Sequence, residues 1–249
     1  MSADVGAPAK VRDRLALPLD VGDLDAALAM AQRVAPWFGI AKVGHELYAE
    51  AGPVAFDRLH ELGFAVFCDL KLHDIPNTVE RAAAALARHG VRFMNAHAAG
   101  GVDMLRAFVA GATIGAHDAG FPTPVTLAVT VLTSDADASA FDGRLESARV
   151  AQCAGVVCSG RELDRVRAAG LRSMVPGIRP AGASIDDQAR VVTPGDAIAQ
   201  GADWLVIGRP VTAAPDPAAA AAAIASEVEH ALGLSAQREP RSEASQRRA

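Results

Sequence analysis

Short runs of Val, Ile and Leu alternate along the chain with longer Ala-rich stretches, where apolar residues recur three and four positions apart. The short runs, at Leu15–Asp20, Gly39–Val43, Ala65–Leu70, Arg92–His97, Val125–Val131, Gly155–Cys158, Ser173–Pro176 and Trp204–Ile207, read as strands. Between them lie helical stripes such as Leu24, Leu28, Ala31 and Val34, or Val79, Ala83, Leu86 and Ala87. Eight strand-then-helix units imply a parallel sheet, and eight such strands close a barrel. The predicted fold is therefore α/β, a single (β/α)8 TIM barrel. An open doubly wound sheet is the alternative, but no GxGxxG follows the first strand.

The expected organisation is a flexible N-terminal extension over 1–12, a catalytic barrel over 13–233 and a disordered polar tail over 234–249. Pro217–Leu232 reads as the last helix, since its alanine run favours helix.

Composition narrows the class. The hydrophobic share is 51%, which excludes general disorder, and aromatics are only 4%, so the core is built from small and aliphatic side chains. Net charge is −5, with basic residues spread along the chain and no nucleic-acid-binding stripe. No apolar run is long enough for a membrane span, and Met1–Lys10 lacks the apolar core of a secretion signal. Cys68, Cys153 and Cys158 have no metal-ligand spacing and read as buried thiols of a reduced, cytoplasmic protein. The lysines are more informative: only Lys10, Lys42 and Lys71 occur among 24 basic residues. Lys10 falls in the expected extension, whereas Lys42 and Lys71 fall at predicted strand ends. Unlike Arg, Lys exchanges a proton when its surroundings shift its pKa.

The densest chemistry is Asp69-Leu70-Lys71-Leu72-His73-Asp74-Ile75-Pro76-Asn77-Thr78. Strand alternation puts Asp69 and Lys71 on one face, with Leu70 turned toward the helices. A carboxylate and an ammonium inside a barrel are costly to desolvate unless paired. A structural ion pair closing the barrel core is the plain alternative. Asp20 at the end of the first strand and Lys42 in the second extend the pair to an Asp–Lys–Asp–Lys array at the C-terminal mouth, where barrel active sites lie. Asp74 follows at once; a helix cap is its simpler role, with Pro76 in the first turn.

Gly177-Ile178-Arg179 follows the seventh strand and Gly208-Arg209 the eighth, the usual phosphate loops of this fold. Glycine lets backbone N–H groups approach an anion and Arg supplies a bidentate fork, although ordinary turns also need glycine. The polar stretch from Ile178 to Arg190, with Pro180, Gly182 and Gln188, is either a lid over that phosphate or a surface excursion.

Asp69 to Thr78 resembles the DxKxxDIPNT motif of the orotidine 5'-monophosphate decarboxylase family. Lys42–Leu47 resembles the family's KxGxEL block. Asn95–Ala98 with Gly100-Gly101, Val129–Ser134, Val175–Arg179 and Val206–Pro210 resemble its later strand blocks, in order, so the likeness covers nearly all of 14–232. Pro18 departs from the small residue usual before Leu-Asp, which bears on local pairing rather than on chemistry.

The resemblance implies decarboxylation of orotidine 5'-monophosphate to uridine 5'-monophosphate without cofactor or metal. It assigns Lys71 as proton donor to ring carbon 6, Asp69 to the substrate carboxylate, Lys42 to the charge array and Asp20 to a ribose hydroxyl. Thr133 would meet the pyrimidine. Gln188 and Arg209 would hold the phosphate, and the loop reading adds Arg179 and Gly208 to the candidate substrate-binding residues. Asp74, Ile75 and Thr78 would reach a neighbouring subunit's site, making the protein a homodimer with shared active sites. The rivals are a metal-using sugar-phosphate decarboxylase or synthase of the same superfamily and a non-catalytic phosphate-binding barrel.

Overall fold

The computed structural model describes residues 6–132, 138–180 and 192–234. Eight parallel strands close a barrel in chain order: β1 (Leu15–Pro18), β2 (Ile40–Val43), β3 (Ala65–Leu72), β4 (Phe93–His97), β5 (Val125–Val129), β6 (Gly155–Val157), β7 (Arg172–Val175) and β8 (Trp204–Val206), with β8 pairing back onto β1. All eight runs picked out by pattern form these strands, with ends shifted by a few residues.

The helices are α1 (Ala9–Arg12), α2 (Leu24–Val34), α3 (His45–Ala51), α4 (Val54–Glu61), α5 (Pro76–Ala87), α6 (Gly101–Asp118), α7 (Phe141–Val150), α8 (Leu163–Ala168), α9 (Pro194–Ala199), α10 (Arg209–Thr212) and α11 (Pro217–Ala231). Both predicted stripes face inward: Leu28, Ala31 and Val34 of α2 and Val79, Ala83, Leu86 and Ala87 of α5 are buried. Asp23 caps α2 through the Ala26 N–H at 2.7 Å, and Asp216 caps α11 through Ala218 and Ala219. None of the described helices is long and apolar enough to cross a membrane.

Alternation along the strands separates two cores. Ala16, Ile40, Phe67, Phe93, Leu127 and Met174 fill the barrel, while the intervening residues pack outward under the helices. Leu70 joins the outer set as expected. The closest helix pairing is α5 on α6. A Cβ on Gly111 would lie 2.1 Å from the Glu80 carbonyl oxygen, and one on Gly115 would lie 2.0 Å from that of Ala84, so the two backbones touch. Cys68, Cys153 and Cys158 are buried and free; burial pushes the Cys153 thiol up to about 12 and the other two upward as well.

Residues from Gly6 onward pack on the barrel: the Ala7 N–H donates to Pro36 at 2.9 Å, and Val11 of α1 is fully buried. Residues 1–5 and the expected tail from Ser235 lie outside the described residues.

Candidate active site

The four charged residues at the mouth form one continuous chain of contacts. Lys42 Nζ lies 2.9 Å from Asp20 Oδ1 and 3.1 Å from Asp69 Oδ2, and Lys71 Nζ lies 2.8 Å from Asp69 Oδ1. The charges alternate, so each interior member has two opposite neighbours. Burial disfavours the Lys42 ammonium, but Asp69 and Asp20 outweigh it and hold its pKa above the ordinary 10.5. For Asp69, burial opposes ionisation, yet Lys42, Lys71 and two hydrogen bonds hold its carboxyl below the ordinary 3.8. Both groups are therefore charged at neutral pH, although each is only 8% exposed. Gly44 leaves room for this chain, since a Cβ there would lie 2.7 Å from Asp20 Oδ1 and 3.2 Å from Lys42 Nζ.

Lys71 reaches the array by a different route from simple alternation. The β3–β4 register shifts between Cys68 and Leu72, and Lys71 has φ of +48°, in the left-handed region. Such a conformation is costly for a residue with a Cβ and persists only when its surroundings hold it. Asn95 of β4 does so. Its Oδ1 accepts the Lys71 N–H at 2.7 Å, and its Nδ2 donates to Asp69 Oδ1 at 2.6 Å. One buried amide thus fixes both the bulged backbone and the carboxylate beside it. Beside the bulge, the rings of His73 and His97 lie 5.6 Å apart. Burial, then the neighbouring His73 and Lys71, hold His97 below its ordinary 6.5, leaving it a neutral imidazole at neutral pH.

Two adjoining cavities open on this chain. One, of about 330 Å³, is lined by Asp20, Lys42, Asp69 and Lys71 over a floor of Phe67 and Val129. The other, of about 660 Å³, shares Asp20 and Lys42 and runs to Gly177, Arg179, Gly208 and Arg209. The loops after β7 and β8 therefore present both arginines and both glycines to one space beside the array. Arg179 is buried and donates to the Ile178 carbonyl at 3.0 Å. Pro18 also belongs here: a Cβ on Gly208 would lie 2.8 Å from the Pro18 ring, so this departure from the family pattern bears on the loop after β8 as well as on strand pairing.

Asp74, Ile75 and Thr78 do not join these cavities within the chain. All three are exposed on the turn and first turn of α5, Ile75 at 65%. Asp74 is not the cap of α5. That position is Ile75, and Asp74 Oδ1 instead accepts the Ile75 N–H at 2.7 Å. Thr133 and Gln188 lie outside the described residues. Among the described residues, no group of three or more His, Cys, Asp or Glu side chains is arranged to hold a metal ion.

The family model for orotidine 5'-phosphate decarboxylase / HUMPS matches residues 13–224. The chain belongs to that family. Among relatives of this orotidine 5'-phosphate decarboxylase / HUMPS family member, the orotidine 5'-phosphate decarboxylase of Moorella thermoacetica is 47% identical over 234 residues, spanning 88% of this chain and 93% of that protein. That of Anaeromyxobacter dehalogenans is 49% identical over 232 residues, spanning 87% and 98%. The crystal structure of orotidine 5'-phosphate decarboxylase from Lactobacillus acidophilus superposes with a TM-score of 0.74 at 34% identity, covering 86% of this chain and 98% of that one. The family block at β4 contains Asn95, yet nothing in the residue pattern pointed to its bridging role. A neutral amide on a strand carries no charge to draw notice.

Proposed function

We propose that this chain decarboxylates orotidine 5'-monophosphate to uridine 5'-monophosphate and carbon dioxide, by direct protonation of the ring carbon and without a cofactor. The observation that carries the reading is the unbroken Asp20–Lys42–Asp69–Lys71 contact chain beside a cavity that ends at Arg179 and Arg209. Loss of carbon dioxide leaves an electron pair on ring carbon 6 with no adjoining electron sink. Lys71, at the end of the array and open to the smaller cavity, places an ammonium against that developing charge and then gives carbon 6 its proton.

Asp69, buried and held ionised, faces the departing carboxylate. Two unit charges at about 4 Å interact by roughly 4 kcal/mol at an effective dielectric near 20, repulsion that is relieved as carbon dioxide leaves. Asp20 takes a ribose hydroxyl. Gly177, Arg179, Gly208 and Arg209 take the phosphate, with Thr133 at the pyrimidine and Gln188 at the phosphate. Proton donation by itself contributes only about 10²- to 10⁴-fold. Phosphate and ribose binding must therefore be expressed in the transition state to supply the remainder.

Asp74, Ile75 and Thr78 complete the site of a second copy, in an isologous homodimer that joins the barrel mouths. Their exposure at the rim supports this arrangement. The buried free thiols suit a reducing, cytoplasmic setting.

The decisive assay is conversion of orotidine 5'-monophosphate to uridine 5'-monophosphate by the purified chain, with and without a chelator. Turnover that survives exhaustive chelation supports this reading; absence of turnover, or turnover restored only by a divalent cation, moves the chain to the sugar-phosphate branch. For the shared site, inactive Lys71→Ala is mixed with inactive Asp74→Ala. Heterodimers regain at most about half the wild-type activity, because one of their two sites is then intact. Confirmed subunit exchange with no recovery shows that Asp74 acts within its own chain.

A further inference from the structure

At the end of the barrel opposite the charge array, three strands begin beside arginines. Arg14 precedes β1, Arg92 precedes β4 and Arg172 opens β7. All three gather around the two aromatic rings that close the barrel floor, Phe93 and Trp204, which meet edge to face at 4.9 Å. The Arg92 guanidinium lies 5.6 Å from the Phe93 ring centre, and that of Arg172 lies 5.1 Å from the Trp204 ring centre. Arg14 Nη1 donates to the carbonyls of Ala202 and Asp203, just ahead of Trp204, at 3.2 and 3.1 Å. Lys10, the one lysine outside the catalytic array, joins them from α1. These four cations line a cavity of about 550 Å³ together with Asp13 and Asp203.

The charge of this cavity is not balanced. Asp203 Oδ2 is engaged by the Ser173 N–H at 2.9 Å and its hydroxyl at 3.4 Å. None of the four cations is within ion-pair distance of a carboxylate among the described residues. Arg58, Arg88, Arg106, Arg149, Arg165 and Arg167 on other surfaces each have an acidic partner. The chain as a whole carries −5, so a local excess of positive charge does not follow from its composition. Holding guanidinium groups over aromatic rings orders their forks, and ordered arginine forks match phosphate oxygens two at a time. The volume falls within the roughly 300–1,000 Å³ typical of small-molecule sites.

We propose that this cavity at the barrel floor binds a phosphate-bearing anion, at a site separate from the catalytic mouth. Arg92 and Arg172 grip the phosphate, and Lys10 and Arg14 add charge from the rim. The alternative is that the arginines only cap the aromatic floor.

Calorimetric titration of the full chain with inorganic pyrophosphate separates the two. Two classes of site are expected. Arg209→Ala removes the class at the mouth. The double variant Arg92→Gln/Arg172→Gln weakens the other by about tenfold or more, with turnover and circular dichroism unchanged. In a Trp37→Phe background, Trp204 is the sole tryptophan, and pyrophosphate should shift its fluorescence even when Arg209 is replaced. Lys10→Gln, at an exposed position on α1, is a milder variant that should weaken the same class.

Repeating the titration of Arg209→Ala with uridine 5'-monophosphate distinguishes two sources of the phosphate. Tighter binding than pyrophosphate identifies a nucleotide; equal or weaker binding identifies free phosphate or pyrophosphate. A single class of pyrophosphate site that is untouched by Arg92→Gln/Arg172→Gln, with no Trp204 response, overturns the proposal.

Discussion

Replacing Asn95 by Ala removes the side chain that joins the Lys71 backbone to the Asp69 carboxylate. Two hydrogen bonds are lost, at 2.7 Å in a partly buried setting and at 2.6 Å in a buried one. A bond to a charged group contributes about 1.5–3 kcal/mol and a neutral one about 0.5–1.5 kcal/mol, for a combined loss of about 2–4.5 kcal/mol. At about 1.4 kcal/mol per tenfold, full expression in the transition state lowers kcat by roughly 30- to 2,000-fold. The loops proposed to hold the phosphate follow β7 and β8, whereas Asn95 lies on β4, so KM should move by less than about threefold. The assay is loss of the ultraviolet absorbance of orotidine 5'-monophosphate over a range of substrate concentration, with circular dichroism to establish folding. A folded Asn95→Ala protein whose kcat stays within about threefold of wild type refutes a positioning role for the amide. A rise in KM at constant kcat also refutes it, because that pattern belongs to substrate binding.

Other consequences are open to direct measurement. Lys71→Ala should abolish turnover in a folded barrel, and Lys71→Arg should fail as well, because a guanidinium does not release its proton near neutral pH; substantial turnover by either variant removes Lys71 as donor. The charge array should shape stability against pH at both ends. Lys42, raised above 10.5, contributes stability that is fully present below 10.5 and lost as pH rises through its folded value; Asp69, lowered below 3.8, contributes stability present above 3.8 and lost as pH falls through its folded value. Thermal melts should therefore show an alkaline decline that is shallower in Lys42→Met, and an identical decline in that variant would show that Lys42 is not its source. Gly115→Ala should destabilise by about 1–3 kcal/mol, since the new Cβ meets the Ala84 carbonyl. That corresponds to a fall of about 2–4 °C in Tm per kcal/mol, and an unchanged Tm would mean that α5 and α6 separate freely.

The eight strands were legible because a barrel strand buried on both faces is a short aliphatic run, and the helices because their inner stripes keep a strict spacing. The array was legible because charge at the end of an aliphatic run is conspicuous. Lys71 shows where that reading stops. Alternation along β3 put it on the correct face, yet the strand bulges and Lys71 turns left-handed, a conformation set by a hydrogen bond to the neighbouring strand. Asn95, Gly44 and the contact of Pro18 with Gly208 are likewise visible only once distant segments meet. Helix α1 was not legible because a four-residue helix with one fully buried valine is too short to register as a periodic pattern.

The left-handed backbone at Lys71 sets two kinds of selection against each other at one residue. Glycine suits φ of +48° best, because a Cβ costs about 1–2 kcal/mol there. Lys71→Gly should therefore be more stable than Lys71→Ala, although both lack the ammonium. Glycine would relieve that cost but would also take away the ammonium 2.8 Å from Asp69 Oδ1, so the backbone gain is set against a lost ion pair. A selection for thermal stability alone, run on this gene, should favour glycine over alanine wherever lysine is lost from residue 71. A selection that also demands growth without supplied pyrimidine should retain lysine and place its gains elsewhere in the barrel.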